Sequence, residues 1–146
     1  MERYRRHLIL DHFGLEGQKK LLNAKALIVG MGGLGCPLSQ ILAASGVGSM
    51  VLVDGDLVEE SNLARQTLYG PDDIGKLKVE VAARELRRIN PEIKIETHAV
   101  FLDKENGQGL LNGVDVILDC SDNYKLRYAL SDLSEAEKLP MVYAAL

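Results

Sequence analysis

The sequence predicts an α/β, Rossmann-like doubly wound fold: a mainly parallel sheet in the order 3-2-1-4-5, with helices on both faces and a helical N-terminal extension over residues 1–24. Three observations carry this prediction. Short apolar runs alternate with helix-length amphipathic segments, and right-handed crossovers turn that pattern into a parallel sheet. Ala26-Leu27-Ile28-Val29-Gly30-Met31-Gly32-Gly33-Leu34-Gly35 reads as a strand, a glycine turn and a helix start. Asp54 follows Gly35 by 19 residues and ends the next apolar run. That is close to the spacing at which a ribose-binding carboxylate closes the second strand of a dinucleotide fold.

The elements follow in chain order. Residues 2–12 and 15–22 have the charged, intermittently apolar pattern of two short helices broken at Gly14. A strand is expected at 26–30, a helix at 33–45 and a second strand at 50–54. From Gly55 to Asp73 runs a long irregular connection containing Ser61-Asn62-Leu63-Ala64-Arg65-Gln66. Connections of that length in a compact domain are usually functional. Val79, Ala82, Ala83, Leu86 and Ile89 recur at helical spacing within 76–90, and Pro91 stops the helix. Ile93, Ile95 and Thr97 alternate with polar residues as in a half-exposed strand. A short helix or turn at 103–111 precedes Val114-Asp115-Val116-Ile117-Leu118-Asp119, a buried parallel strand. Ser121-Asp122-Asn123 caps a helix over about 123–137, and residues 140–144 form the last strand.

The 146 residues, 47% of them hydrophobic, suit one α/β domain spanning 1–146. A formal net charge of -4 argues against a dedicated nucleic-acid binder. Met1 to Arg6 lacks the apolar core of a signal peptide, and no apolar run approaches the ~20 residues that span a bilayer, so a cytoplasmic chain without a membrane segment is expected. Cys36 and Cys120 form no CxxC pair and read as small apolar fillers near strand ends.

In an open parallel sheet, ligands sit beyond the carboxyl ends of the strands at the switch point. Gly30 to Gly35, Asp54 and Cys120 to Asn123 should therefore share one crevice. Gly30, Gly32, Gly33 and Gly35 bring backbone N–H groups to a phosphate, aided by the helix start behind them. Asp54 can accept hydrogen bonds from two ribose hydroxyls. Asp56 either reaches the sugar or solvates the loop. Asp122 either holds Mg²⁺ between phosphate oxygens or caps a helix. Arg65 and Lys78 are either phosphate ligands or surface charges, whereas Arg84, Arg87 and Arg88 are assigned to a solvated helix face. His7, His12 and His98 are scattered without a nucleophile nearby, so catalysis by positioning and charge neutralisation is expected.

These pieces resemble one family, the ThiF, MoeB and HesA adenylyltransferases, bacterial relatives of the ubiquitin-activating enzymes. The resemblance spans essentially the whole chain. It rests on Arg3-Tyr4-Arg5-Arg6-His7-Leu8-Ile9-Leu10, Gly30 to Pro37, Leu52-Val53-Asp54, Ser61 to Gln66, Gly75-Lys76-Leu77-Lys78, Asn90-Pro91 and Asp119 to Asn123. It implies binding of ATP with Mg²⁺ and adenylation of the C-terminal Gly-Gly carboxylate of a ubiquitin-fold sulfur-carrier protein, in thiamine, molybdopterin or related biosynthesis. By position, Asp54 would hold the ribose, Asn62, Arg65 and Lys78 the phosphates, and Asp122 the magnesium ion. Arg6 would reach across a homodimer into the partner's site.

Two features depart from the family pattern. Ala64 stands where relatives usually carry Gln. The chain ends at Leu146, before the further strands, crossover loop and zinc-holding CxxC pairs of the family. The family's zinc site is thus expected to be absent, in a fragment or a stand-alone half. The alternatives are an NAD-dependent dehydrogenase domain, supported by the glycine turn and Asp54 alone, and a catalytically silent nucleotide-binding or dimerisation module.

Overall fold

The computed structural model describes residues 1–144; Ala145 and Leu146 lie outside the described residues. Five parallel strands form one sheet in the order β3-β2-β1-β4-β5, as the alternation of elements predicts. They are β1 (Lys25–Val29), β2 (Ser49–Val53), β3 (Lys94–His98), β4 (Val116–Asp119) and β5 (Met141–Tyr143). The helices are α1 (Arg5–Leu8), α2 (Gly14–Asn23), α3 (Gly35–Ser45), α4 (Lys78–Ile89), α5 (Lys104–Gly107) and α6 (Tyr124–Glu137).

Period-two alternation divides the core between the two sheet faces. Ala26, Ile28, Met50 and Leu52 point to one face and pack with Val79, Ala82, Ala83 and Leu86 of α4 and with Cys36 and Ala43 of α3. Leu27, Val29, Val51, Val53 and Ile117 point to the other, where Leu130 of α6 and Leu102 and Leu111 cover them. Strands covered on both faces need no polar side, which explains the unbroken apolar runs of β1 and β2. Register puts Leu27 beside both Val51 and Ile117, so β1 is the central strand. Among the described residues β3 pairs only with β2, and it alternates between exposed and half-buried residues, as expected for an edge.

The N-terminal extension differs from its expected form. The helix expected over 2–12 is a 3-10 turn at Glu2–Tyr4 followed by the single-turn α1, and the chain then turns through His12, at φ 66°, into α2. Gly14 begins α2 rather than breaking a helix. What fixes the extension is packing. Tyr4 is 2% exposed, and its hydroxyl receives a hydrogen bond from Asn90 Nδ2 at 2.9 Å. The same Nδ2 donates to the Ala43 carbonyl at 2.9 Å. The fully buried Asn90 thereby ties the extension to the ends of α3 and α4. His7 contacts Gln18 Oε1 at 2.7 Å, and Gln18 Nε2 donates to the Ser45 carbonyl, so His7 is a satisfied structural histidine.

The long connection after β2 is ordered. It contains 3-10 turns at Glu60–Asn62 and Pro71–Asp73 and closes at its base. There the Val58 N–H donates to Lys76 O at 2.8 Å, the Gly75 N–H to Val58 O at 2.9 Å and the Lys78 N–H to Asp56 O at 3.1 Å. Asp73, 5% exposed, is the inner post of this loop. Its carboxylate accepts from the Gly70 N–H, from Lys76 and, with both oxygens, from Arg84 Nη2 at 3.0 and 3.1 Å. Arg84 is therefore not simply part of a solvated face, as expected from its position. Arg87 donates to Ile95 O, and Arg88 pairs with Glu85.

Two outcomes follow from this packing. Asn90→Ala leaves a buried hydroxyl and a carbonyl without their partner, and it should lower unfolding stability by about 2–3 kcal/mol in urea titration. At Asp73, burial pushes the carboxyl up, but the Gly70 N–H, Arg84 and Lys76 outweigh it and hold the group below its ordinary range. A depressed carboxylate contributes stability above its unfolded pKa of about 3.9 and loses it as pH falls through the folded value. Asp73→Asn should thus lower the urea midpoint at pH 7 and flatten its fall below about pH 4.

Candidate nucleotide site

The carboxyl ends of β1, β2 and β4 open onto a crevice of about 620 Å³. Its floor is the glycine turn, and the glycines there serve different ends. Gly30 sits at φ 90°, and a Cβ on it would lie 2.9 Å from the Cys120 carbonyl, so it lets β1 and β4 finish side by side. A Cβ on Gly35 would lie 1.9 Å from Gly30 O, which makes that residue the hinge of turn onto helix. Gly35, expected to contact a ligand, does not line the crevice for this reason. Gly32 and Gly33 do line it, and a Cβ on either would meet only ordinary contacts beyond 3.5 Å with Gln66 and Arg65. Nothing in the protein's own packing requires glycine there; bare backbone leaves room for a ligand.

Asp54 holds the turn in place. Its Oδ2 accepts from the Met31 N–H at 2.7 Å and its Oδ1 from the Asp56 N–H at 2.8 Å. Each oxygen keeps a further lone pair for a hydroxyl on the crevice side. Lys78 opens α4, where a cation is disfavoured by the helix dipole. The anion it requires is Asp56, whose Oδ2 lies 3.0 Å from the ammonium, with the lysine side chain only 7% exposed. The open alternatives for Asp56 thus resolve toward a third role, the counter-ion of Lys78.

Asn62 is 7% exposed, and its Oδ1 accepts from the Glu59 N–H at 3.1 Å, fixing the first 3-10 turn of the loop. Arg65, exposed, lays its aliphatic stem beside Gly33 and donates to Ser61 O at 3.1 Å. Both residues line the crevice. Gln66 lies beneath, 3% exposed, with its Oε1 buried and without a partner.

On the opposite wall, Asn123 rather than Asp122 caps α6. Its Oδ1 accepts from the Lys125 and Leu126 N–H groups at 2.9 and 3.3 Å. This removes the capping account of Asp122, whose exposed carboxylate lines the crevice and has no hydrogen bond among the described residues. Such a group is free to hold a cation between phosphate oxygens. Like Gly35, Arg6 does not line the crevice; it lies exposed on α1.

Sequence reasoning passes over Asp119 and Arg127. Asp119, 1% exposed, ends β4 and accepts from the Ser121 N–H and hydroxyl and from Arg127 Nε at 3.0 Å. Arg127 Nη2 donates to Ser121 O at 3.0 Å, so Ser121 is held on both sides immediately before Asp122. The signal was present: a carboxylate closing a buried strand needs a cationic partner, and Arg127 stands one turn inside the next helix. Both cysteines are free and buried. Burial pushes the Cys36 thiol up, and burial with the Asp119 charge pushes Cys120 up to about 11. Cys36 lies in the first turn of α3 and Cys120 directly after β4.

A SAMP-activating enzyme of Haloferax volcanii is 45% identical over 146 residues, which is all of this chain and 54% of that protein. An adenylyltransferase and sulfurtransferase of Drosophila sechellia is 49% identical over 140 residues, 96% of this chain and 31% of that protein. The chain thus spans about half or less of the length of these relatives. Among solved structures, the E. coli tRNA N6-threonylcarbamoyladenosine dehydratase TcdA in complex with ATP superposes with a TM-score of 0.91 at 29% identity, covering 97% of this chain and 58% of that one. E. coli MccB with AMPCPP and MccA gives 0.84 at 36% identity, covering 98% and 44%. The family model described as "ThiF family" matches residues 4–146, and the chain belongs to the ThiF family.

Proposed function

We propose that this chain is the nucleotide-binding part of an ATP-dependent adenylyltransferase. It binds Mg-ATP and activates the C-terminal Gly-Gly carboxylate of a ubiquitin-fold sulfur-carrier protein in the cytoplasm, releasing pyrophosphate. One observation carries this reading. The bare floor of Gly32 and Gly33 faces Lys78 and Arg65 on one wall and the uncapped Asp122 carboxylate on another. A nicotinamide site needs the floor and Asp54 alone, whereas the added cations and free carboxylate suit a reacting polyphosphate.

The roles follow from the chemistry of each group. Asp54, held rigid by two backbone N–H groups, accepts the ribose hydroxyls. N–H groups of the turn and the start of α3 receive phosphate oxygens. The Lys78 ammonium has three donors, so it can keep Asp56 and still reach phosphate. Arg65 and Asn62 complete that wall. Charge neutralisation between phosphate oxygens is what magnesium supplies when bound, and Asp122 would hold it. A carboxylate oxygen of the carrier attacks the α-phosphorus, the bond to the pyrophosphate bridging oxygen breaks, and pyrophosphate leaves with that electron pair. No base is required, because a C-terminal carboxylate is ionised at neutral pH. Arg6 lies outside its own crevice, which suits donation to the site of a second copy in a homodimer.

ATP–pyrophosphate exchange with a Gly-Gly-ending carrier tests the reading. The protein should catalyse exchange, and Asp122→Asn should lower its rate by about 100-fold or more without loss of thermal stability. ATP binding without exchange would mark a silent module, and NADH binding in place of ATP would restore the dehydrogenase. Across a dimer, inactive Arg6→Ala and inactive Lys78→Ala chains, mixed, should regain about a quarter of the wild-type exchange, since half of the dimers are mixed and each has one intact site. No recovery in verified mixed dimers would confine the site to a single chain.

A further inference from the structure

We infer that Tyr69 is a positioning residue of the nucleotide site: its buried hydroxyl fixes the Met31–Gly32 peptide so that the Gly32 N–H faces the phosphate groups. The inference rests on the nucleotide reading above and names the side chain that orients the floor of that site.

Gly32 and Gly33 line the crevice as bare backbone, and without a Cβ they have little steric preference for which way each peptide faces. Groups outside the turn must set the orientation. The peptide before Met31 is set by Asp54, whose Oδ2 accepts the Met31 N–H at 2.7 Å. The peptide after Gly32 is set by α3, where the Cys36 N–H donates to the Gly32 carbonyl at 3.0 Å. The Met31–Gly32 peptide between them is held by side chains. The Tyr69 hydroxyl donates to the Met31 carbonyl at 2.6 Å, and the Cys36 thiol, a weak donor, approaches the same oxygen at 3.4 Å.

The direction of this contact decides its consequence. In a trans peptide the C=O and the N–H point opposite ways. Tyr69, 7% exposed, and the fully buried Met31 belong to the core packed against α3 and α4. With the Met31 carbonyl turned into that core, the Gly32 N–H is turned away from it, on a residue that lines the crevice. That N–H donates to no group among the described residues. Burial pushes the Tyr69 phenol far above its ordinary range, so the hydroxyl keeps its proton and remains a donor.

The segment that carries Tyr69 also carries the phosphate wall. The Asn62 carbonyl accepts the Arg65 and Gln66 N–H groups at 3.1 and 2.9 Å, and the Gln66 carbonyl accepts the Tyr69 N–H at 3.2 Å. Residues 62–69 are thus one hydrogen-bonded stretch that presents Asn62 and Arg65 to the crevice and sets the glycine floor through Tyr69.

Tyr69→Phe keeps the ring in the core and removes only the hydroxyl. It should weaken binding of inorganic tripolyphosphate and of ATP by about tenfold, the lower end of what a hydrogen bond to a charged group is worth, and leave adenosine binding unchanged. In protein carrying isotope-labelled glycine, the Gly32 amide signal should shift strongly when tripolyphosphate is added to wild type and little in the variant. If the variant loses thermal stability but keeps the tripolyphosphate affinity and the Gly32 shift, or loses tripolyphosphate and adenosine alike, Tyr69 serves packing and only this inference falls. If wild type binds neither ATP nor tripolyphosphate, the nucleotide reading falls together with it.

Discussion

The site depends on one close approach: the glycine turn is pinned between the ends of β2 and β4. On one side the Asp54 carboxylate takes the Met31 N–H at 2.7 Å. On the other, Gly30 passes the Cys120 carbonyl at a distance that leaves no space for a side chain. Three parallel strands thereby end within reach of one ligand. The sheet order makes this possible, since β1 is central and its neighbours lead away in opposite directions, opening the crevice at the switch point.

Around that pin, buried polar groups are arranged in linked pairs. Asp56 takes Lys78 by side chain and backbone while its own N–H is held by Asp54, so ribose and phosphate walls share one short segment. Asp119, Ser121 and Arg127 do the same on the opposite wall, directly before Asp122. Buried charges persist only when paired. Here the pairing also leaves the crevice-facing groups in place: the Asp122 carboxylate stays free because Asn123 takes over the helix cap and Arg127 holds the backbone behind it. The long loop over 55–77 is held in the same manner by Asp73, which explains how a connection lacking regular structure presents Asn62 and Arg65.

Much of this was legible in the residues. Alternation of apolar runs and amphipathic segments was sufficient for five parallel strands in the observed order, with boundaries off by one or two residues. Gly30, Gly32, Gly33, Asp54, Asn62, Arg65, Lys78 and Asp122 do line one crevice. The errors share a cause. The helix expected over 2–12 and the solvated reading of Arg84 each judged residues by their local pattern. Tertiary neighbours decided otherwise: Asn90 under Tyr4 and Asp73 against Arg84. Among the described residues, no helix is long and apolar enough to cross a membrane.

By itself, the sequence determined the fold class, the sheet order and the three regions that meet at the crevice, because periodicity and glycine placement act through the backbone and its nearest neighbours. Only the tertiary structure decided what each side chain does there. It gave Lys78 its counter-ion, moved the cap of α6 from Asp122 to Asn123 and paired Asp119 with Arg127. Those outcomes depend on distances between residues far apart in the chain, and on the rule that a buried charge must find a partner wherever the fold has brought one.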